Sequence, residues 1–437
     1  MASLVALLAS SLVGCGDDSG SKATADNNGL FNNGATNNGG TDNNGTNNGT
    51  DNNTVTPMCD ESLTARPSPR AEMMGVFDPV RQRLVFFGGD EGVPIDCATN
   101  SIPVGGLWIY DAVCATFEPI PYETGPSPRA RGAAVYDADG DQMIVFGGRY
   151  KAPNSGSTYT LYDEVWALDL DKLTWRELGT TGGGPGPRTN LAAEYWPETH
   201  ELIVMGGNSS TNGANFSPHN DVWALNLDTA AWREVTASGS KPEARLFHLS
   251  GMDAEAGILY VYGGGGADAF FGTFFADLWA FDLHAGTWER LYNGGADGPV
   301  GRIWGSMTFF DGSLYVFGGH YDLDVQNDTW RFEPGNRSWH TITGLEDTSK
   351  EPGRCTLPVD FTNVNYDAPE RRQGHLAAVD ATRGEWVIFG GKTDCGAIDD
   401  VWAFDFNREA WNEIHKASIG ESCPRQQDPT TCVAYCQ

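Results

Sequence analysis

The sequence predicts an all-β fold built from short strands in a repeated unit. Glycine accounts for 55 of the 437 residues, aromatic side chains for 11% and charged side chains for 20%. This composition suits short strands joined by tight turns better than long helices. The phrase NDVWALNLDTAAWREV at 220–235 has close counterparts before and after it in the chain. With 40% hydrophobic residues, a chain of this length can bury a substantial core.

The repeated unit has four fixed features in a constant order. Each of six copies begins with an arginine, and these arginines are Arg70, Arg129, Arg188, Arg245, Arg302 and Arg372. An apolar run then ends in a double glycine, which begins at Gly88, Gly147, Gly206, Gly263, Gly318 and Gly390. A tryptophan follows, at Trp108, Trp166, Trp223, Trp279, Trp330 and Trp402, and nine residues later comes Phe117, Trp175, Trp232, Trp288, Trp339 or Trp411. Each copy predicts four strands: the arginine opens the first, the double glycine ends the second, the tryptophan marks the third and the second aromatic starts the fourth.

Repeats of four strands apiece are typical of a β-propeller, in which every blade covers the faces of its neighbours. The arginine, the double glycine and the paired aromatics resemble kelch repeats over roughly residues 66–416. The resemblance implies a six-bladed propeller of four-stranded antiparallel blades. The first repeat departs from the pattern, since Gly106 stands where the others carry Asp or Glu, and only His248 and His375 fill a position where kelch repeats often place histidine. We interpret the repeated arginines and acidic residues as ties between strands, not as catalytic groups.

No split blade is predicted to close the ring, because the first repeat begins with its own first strand and the last ends with its fourth. Cysteines are the expected substitute at the seam or in the first repeat: Cys59, Cys97, Cys114, Cys423, Cys432 and Cys436. We also predict that Cys355 pairs with Cys395 and Cys59 with Cys97, because strand reversal places both members of each pair on one face. None of the cysteines has the spacing of a zinc site.

The N-terminal residues indicate export. MASLVALLASSLVGCGDD contains an apolar run too short for a membrane span but suited to a signal-peptide core. Its end resembles a bacterial lipobox, which implies a signal peptide at 1–14 and lipidation of Cys15; the alternative is an ordinary secretory signal. Gly16 after the cysteine favours the outer membrane. We therefore expect a lipoprotein of the bacterial cell envelope, exposed to the periplasm or the cell surface and attached to the membrane through its lipid anchor only.

The segment at 15–57 is rich in Asn, Gly and Thr and offers almost no apolar side chain for burial. It predicts a disordered tether, and the alternative is an ordered stack of asparagine ladders. The propeller and a cysteine-containing C-terminal tail then occupy 58–437.

One face of the propeller carries the variable loops. The distance from the first glycine of the pair to the tryptophan ranges from 12 to 20 residues, and the link from Trp339 to Arg372 is 33 residues long. Strand reversal places these loops and links on one face, which we call the insertion face, and the short hairpin turns on the opposite turn face. Loops on a rigid scaffold commonly carry binding sites. The candidate ligand-binding residues are Arg149, Tyr150, Asn215, His219, Phe270, Phe271, Phe274, His320 and Tyr321.

These candidates have structural alternatives. The phenylalanines of ADAFFGTFFAD would then pack their own loop against the neighbouring blade, and His320 would be a satisfied polar residue near the central channel.

Charge and motifs restrict the function. A formal net charge of −30, from 28 basic and 58 acidic side chains, makes nucleic acid an unfavourable partner. No GxSxG, HExxH or P-loop motif occurs, and the acidic turn at 137–141 lacks the ligand order of an EF-hand. We expect a binding module for a protein or glycan, with no metal, cofactor or catalytic residues. The alternative is a secreted sugar-processing enzyme similar to the kelch propellers that oxidise galactose or epimerise a sialic acid.

Overall fold

The computed structural model describes residues 59, 62–92, 94–95, 98–99, 101–213, 215–269, 272–322, 324–345, 347–348, 361–362, 367–393 and 396–418. The chain divides into two compact units, Met1–Thr56 and Pro57–Gln437, and every described residue belongs to the second. The regular structure in these ranges consists of strands. Within the same ranges, a helix of the length and hydropathy needed to cross a membrane is absent.

Six four-stranded antiparallel sheets follow one another along the chain, each forming one blade of a propeller, as the repeats predict. Blades 1 and 2 contain Met74–Asp78, Arg83–Phe87, Leu107–Asp111 and Thr116–Ile120, then Ala133–Asp137, Gln142–Phe146, Val165–Asp169 and Thr174–Leu178. Blades 3 and 4 contain Ala192–Trp196, Glu201–Met205, Val222–Asn226 and Ala231–Glu234, then Leu249–Asp253, Ile258–Tyr262, Leu278–Asp282 and Thr287–Tyr292. Blades 5 and 6 contain Ser306–Phe310, Ser313–Tyr321, Asp324–Glu333 and Ser338–Thr343, then Leu376–Asp380, Glu385–Thr393, Gly396–Asp405 and Ala410–His415. The first strands of successive blades contact one another around a central channel.

The additional short strands all lie in second-to-third-strand loops or in the links that enter a blade. They are Pro94–Ile95 with Ala98–Thr99, Arg149–Tyr150 with Thr160–Leu161, Asp347–Thr348 with Phe361–Thr362, and Arg372–Gln373 beside the second strand of blade 6. In blades 5 and 6 the second and third strands continue beyond the blade as long hairpins. Because antiparallel strands alternate in direction, all these extensions project from the insertion face.

The repeated arginine ties three parts of its own blade together. Arg188 donates from Nη1 to the carbonyl of Gly206 at 3.1 Å and pairs through both terminal nitrogens with the carboxylate of Asp221. The indole N–H of Trp223 donates to the same carboxylate at 2.8 Å. In all six blades the arginine donates to the first glycine of the pair. The arginine precedes the first strand by four residues, because its side chain must reach across to the end of the second strand.

Blade 1 keeps this tie despite its departure from the pattern. It has Gly106 in place of the acidic residue, and Arg70 instead contacts Glu91 at 2.9 Å, a carboxylate supplied by the following loop. The double glycine is required for a separate reason. Gly147 and Gly148 have φ angles of +72° and +99°, and a Cβ on Gly147 would lie 2.6 Å from the carbonyl oxygen of Arg188 in the next blade. Glycine alone allows this backbone contact.

The hydrophobic core is divided among the contacts between blades. Between blades 2 and 3, for example, Phe146, Val204, Leu225 and Trp232 are buried in one cluster. The third strand of blade 3 is apolar on both sides, since Val222, Ala224 and Leu225 are all buried. A blade therefore has two buried faces, which explains why the third-strand sequence does not alternate between apolar and polar residues.

The ring closes with the same contacts that join all the blades. The second glycine of blade 6, Gly391, donates its N–H to the carbonyl of Arg70 at 2.9 Å, and Gly148 makes the corresponding bond to Arg188 at 2.8 Å. Phe389 of blade 6 packs against Phe86 and Phe117 of blade 1 in the core of the seam. The prediction that no split blade closes the ring is confirmed.

The predicted pairing of Cys59 with Cys97 is wrong, because Cys59 forms a disulfide with Cys114, with Cα atoms 5.4 Å apart. Cys114 lies in the turn between the third and fourth strands of blade 1. Blade twist brings this turn to the last strand of blade 6, where His415 Nδ1 lies 3.1 Å from the Ala115 carbonyl. The N-terminal segment follows the outer side of this seam, since Arg66 donates to the Lys416 carbonyl at 2.8 Å. The remaining cysteines lie outside the described residues: Cys15, Cys97, Cys355, Cys395, Cys423, Cys432 and Cys436.

Candidate ligand-binding site at the channel mouth

A ring of six equivalent residues surrounds the channel where the chain enters each first strand from the insertion face. Each residue follows the repeated arginine by two positions and donates its backbone N–H to the carbonyl of its counterpart in the preceding blade, at 2.6 to 3.1 Å. Glu72 closes the circle by donating to the carbonyl of Gly374. We call this set the inner ring, and its members are Glu72, Arg131, Asn190, Phe247, Trp304 and Gly374.

The inner ring holds one backbone conformation and several kinds of side chain. All six φ angles lie between +57° and +62°. This left-handed region suits glycine, and other residues adopt it at a cost of roughly 1–2 kcal/mol apiece. Only blade 6 places glycine there, while the other five blades retain a carboxylate, a guanidinium, an amide and two aromatic rings. The backbone geometry is therefore fixed at this position, and the chemistry is not.

A second set of equivalent residues follows the double glycines. Each of them forms a backbone bridge to the residue that follows the repeated arginine, as Arg149 does to Ala130. We call this set the outer ring, and its members are Asp90, Arg149, Asn208, Gly265, His320 and Lys392.

The two rings together form a charged half and an uncharged half. Blades 6, 1 and 2 supply the charged half: Lys392, Glu72, Asp90, Arg131 and Arg149. Blades 3 to 5 supply the amides Asn190 and Asn208, the aromatic rings Phe247 and Trp304, the imidazole of His320, and Gly265.

Arg131 is the centre of the charged half. Its Nη2 donates to Glu72 Oε1 at 2.8 Å, and Lys392 Nζ lies 3.4 Å from the same oxygen. Burial alone would raise the pKa of Glu72, but the charges of Arg131 and Lys392 outweigh burial and hold the pKa well below its usual value. Glu72 therefore stays ionised and compensates one cation of this half.

Arg149 is buried without a carboxylate at ion-pair distance among the described residues. Its guanidinium lies 3.9 Å from the ring centre of Tyr159, and only 6% of the residue is exposed. Burial and the nearby charge of Arg131 lower the pKa of Arg149 to about 10. The charged half thus holds three cations, Arg131, Arg149 and Lys392, against the two carboxylates Glu72 and Asp90.

Aromatic side chains cover the opposite half. The rings of Phe247 and Trp304 are 4.3 Å apart, and the guanidinium of Arg131 lies 4.7 Å from the Trp304 ring. At the edge of this group, Phe274 contacts the ring of Tyr321 at 5.4 Å and that of His320 at 6.3 Å. Tyr321 is 40% exposed and offers an apolar surface at the rim.

A pocket of about 140 Å³ lies inside the inner ring, lined by its six members and by the residues that follow them, including His248 and His375. Three buried polar atoms here have no hydrogen-bond partner in the part of the chain that the structure describes: Asn190 Oδ1, Asn190 Nδ2 and Arg131 Nη1. Burial and nearby arginines lower the pKa of His248 and of His375 to about 3, so both imidazoles are neutral.

The wider channel beyond this pocket has a volume of about 660 Å³ and is lined by the first strands. It contains one buried carboxyl group without a cationic partner among the described residues, that of Glu194, which accepts a hydrogen bond from Ser250 Oγ at 2.6 Å.

The structure brings together only some of the residues predicted from the sequence. Arg149 and His320 lie in the outer ring, and Phe274 and Tyr321 lie beside His320. Tyr150 pairs with Thr160 in a short hairpin. Asn215 is exposed on the blade 3 loop, where His219 Nε2 contacts Ser209 Oγ at 2.8 Å. Phe270 and Phe271 lie outside the described residues.

The inner ring was not predicted, because its members share no residue type. The available signal was positional: residues two places after each repeated arginine differ in charge and size while their neighbours are repeated.

One group on the turn face has the donor atoms for a metal ion. Ligand atoms of Asp137, Asp139 and His200 lie within 4.8 Å of one another. The Asp137 carboxylate already accepts hydrogen bonds from the backbone N–H of Gly140 and from Gln142 Nε2, and it contacts His200 Nε2 at 3.1 Å. These contacts give the group a structural role as a connection between blades 2 and 3.

Comparisons with known proteins identify relatives of this architecture. The KLHDC2/KLHL20/DRC7 Kelch-repeats domain model matches residues 20–248 and 192–360. The leucine-zipper-like transcriptional regulator 1 homolog of Drosophila melanogaster is 27% identical over 340 residues, covering 75% of this chain and 30% of that protein. Human host cell factor 1 is 26% identical, covering 75% of this chain and 15% of that protein. Kelch domain-containing protein 10 of Xenopus tropicalis is 26% identical, covering 66% of each chain. The chain spans less than a third of the length of the first two relatives.

Proposed function

This chain belongs to the KLHDC2/KLHL20/DRC7 Kelch-repeats domain family, and from that premise we propose that it is a binding module whose ligand is a protein or a glycan. The ligand lies on the insertion face, over the inner ring and the aromatic half beside it. The module is held in the bacterial cell envelope, at the outer membrane, by a lipid on Cys15 and by the tether at 15–57.

The inner ring is the observation that carries the binding proposal. Five of its six residues keep a side chain in a backbone conformation that glycine adopts at lower cost. Residues held in such conformations cluster at ligand sites, where the surrounding fold compensates the strain. The retained side chains differ in charge and shape, as contacts to an asymmetric ligand require.

The binding proposal is tested by removing inner-ring side chains without altering the backbone. Trp304→Gly and Phe247→Gly reproduce the residue that blade 6 already has at this position, Gly374. Ala230→Gly is the matched control, since Ala230 has a φ of +53° in a turn on the opposite face. Soluble full-length protein carrying Cys15→Ser is screened against a random peptide library and a glycan array.

We expect the recovered ligands to bind the Ala230→Gly protein normally and the Trp304→Gly protein at least about tenfold more weakly, the loss typical of one central contact residue. Circular dichroism verifies that each variant is folded. Ligands that bind both inner-ring variants as tightly as the parent would place the site elsewhere and refute the proposal.

The membrane anchor is tested in cells. Cys15→Ser removes the thiol that carries the lipid, so the protein is expected to move from the membrane fraction to the soluble fraction. Ser11→Ala, a neighbouring change that spares the thiol, is the control. A coil of the tether's length and glycine content spans on the order of 35–40 Å, enough to hold the propeller clear of the bilayer surface. An N-terminus other than Cys15, without acyl mass, would contradict the anchor.

Glu194 favours a second candidate, a secreted sugar-processing enzyme. Burial raises the pKa of this channel carboxyl to about 7, a value suited to proton transfer near neutral pH. Oxidation of galactose or epimerisation of a sialic acid by the purified protein, lost on Glu194→Gln, would favour this candidate over a binding module without activity.

A further inference from the structure

The inner-ring pocket contains polar groups that the described residues do not satisfy. Asn190 is 7% exposed, and neither its amide oxygen nor its amide nitrogen has a hydrogen-bond partner in the described part of the chain. The same holds for Nη1 of Arg131. Buried amide and guanidinium groups that lack partners are costly, so such groups mark a place that something polar occupies.

The size of the pocket restricts what enters it. A volume of about 140 Å³ corresponds to roughly four water molecules at 30 Å³ each. This space admits the tip of an acidic side chain or the carboxyl group of a sugar, whereas Trp304, Phe247 and His248 at its wall leave no room for a further aromatic ring.

The charge around the pocket selects an anion. Three cations face two carboxylates in the two rings, and His248 and His375 are neutral there, so the local balance is one positive charge. The chain as a whole has a formal charge of −30. A ligand with a single carboxylate neutralises the local excess, whereas a dianionic phosphate or a polyanion would exceed it and meet repulsion from the rest of the protein.

The donors suit a carboxylate. Arg131 already uses Nη2 on Glu72 and leaves Nη1 for a second acceptor. Charge-assisted hydrogen bonds from a guanidinium to a carboxylate are among the strong contacts in proteins, and an amide N–H adds a second donor. Arg149, which has no described carboxylate partner, contributes positive potential beside them.

We propose that the inner-ring pocket receives a carboxylate of the ligand, held by Arg131 Nη1 and Asn190 Nδ2, while the adjoining part of the ligand lies on the aromatic half. This inference rests on the proposed function and specifies the ligand chemistry of the same site. The carboxylate belongs either to an acidic side chain of a protein segment or to a uronic acid of a glycan.

Two pairs of probes test this proposal on soluble full-length protein carrying Cys15→Ser. One pair is a hexapeptide alternating Glu and Leu, with acetylated and amidated ends, and its analogue with Gln in place of Glu. The other pair is trigalacturonate and its neutral counterpart, galactotriose. Fluorescence anisotropy measures the peptides and calorimetry the sugars, each at two salt concentrations.

We expect one acidic probe to bind at least about tenfold more tightly than its neutral partner and to weaken with salt, as a charge-assisted contact does. The pair that shows this preference identifies the source of the carboxylate. Equal binding of acidic and neutral probes, or no binding of any acidic probe, overturns the carboxylate assignment.

Asn190 provides the variants. Asn190→Gly removes the amide and retains the backbone, and Asn190→Asp places a carboxylate where the ligand's carboxylate would lie. Both are expected to weaken the acidic probe by at least about tenfold, with Asn190→Asp the stronger effect through repulsion. Arg290→Gln, which removes one exposed cation from the outer edge of blade 4, is the matched control and should leave binding unchanged.

The result separates this inference from the function on which it rests. Neutral ligands that still depend on Trp304 would leave the insertion-face binding site standing and overturn only the carboxylate. Acidic probes that bind equally well to Asn190→Asp, which thermal denaturation shows to be folded, would overturn the placement in the inner-ring pocket.

Discussion

Glu194 differs from most carboxylates of this acidic chain because the folded state favours its protonated form. Burial in the channel wall raises the pKa of Glu194 to about 7, and the hydrogen bond from Ser250 Oγ offsets this only in part. An unfolded glutamate titrates near pH 4.3. The stability that protonated Glu194 supports is therefore fully present below that pH and is lost as the pH rises through 7.

We predict that Glu194→Gln makes the protein less sensitive to alkaline pH. The advantage of the variant in unfolding free energy should grow by roughly 2 kcal/mol between pH 5 and pH 8, because glutamine carries no charge in the channel. Urea denaturation at the two pH values measures this. Glu177→Gln, an exposed change on blade 2, is the control. A difference that does not change with pH would show that water solvates the Glu194 carboxylate in the channel.

At the scale of single residues, the sequence predicts repeated chemistry well and repeated conformation poorly. The contact of Arg188 with Asp221 was expected because the same residue types recur in other blades. The left-handed conformation shared by Arg131, Asn190 and Trp304 has no common residue type to reveal it. Their conformation is imposed by hydrogen bonds between blades that are far apart in sequence.

The two tryptophans of each blade have different surroundings, although their spacing suggests equal roles. In blade 3, Trp232 is 6% exposed and packs 5.3 Å from the ring of Phe146 in the neighbouring blade. Trp223 is only partly buried and directs its indole N–H to Asp221. The fourth-strand tryptophan thus belongs to the core between blades, and the third-strand tryptophan lies at the edge of that core.

We predict that Trp232→Ala lowers the unfolding free energy by about 3–5 kcal/mol, the usual range for emptying a large buried aromatic site. Trp223→Ala should cost less, because the removed side chain is already partly in solvent. Guanidinium denaturation of both variants measures the difference. An equal or larger loss for Trp223→Ala would contradict the assignment of the core to the fourth strand.

The number and order of the blade strands were predictable because the double glycines and tryptophans mark their ends. The insertion-face strands were not, since a two-residue strand such as Arg149–Tyr150 depends on a partner from the same loop and not on local propensity. Loop spacing carried a partial signal. The shortest spacings, 12 residues, occur in blades 5 and 6, where the second and third strands continue into one hairpin.

The whole molecule is joined at its seam by one covalent bond in addition to the ordinary contacts between blades. The Cys59–Cys114 disulfide closes a segment with a sequence separation of 55 residues. The chain-entropy account assigns such a loop up to about 4 kcal/mol, as an upper limit. The bond also attaches the N-terminal segment to the turn that contacts the last strand of blade 6.

We predict that replacing both Cys59 and Cys114 with serine lowers the unfolding free energy by about 2–4 kcal/mol, through greater freedom of the unfolded chain. Denaturant unfolding of the parent with and without reductant should reproduce the loss, and the double variant should not respond to reductant at this site. Non-reducing peptide mapping provides an independent check. A Cys59–Cys97 peptide would contradict the structure.

The position of this disulfide also decides how a mechanical load enters the propeller. Tension applied to the chain before Cys59 passes through the sulfur bridge into the outer strands of blade 1. The segment between the two cysteines, which includes Glu72 of the inner ring, lies outside that line of force. Shear on a surface-held protein would therefore stress the rim of the blade and spare the channel mouth, so that a ligand there could be retained under flow.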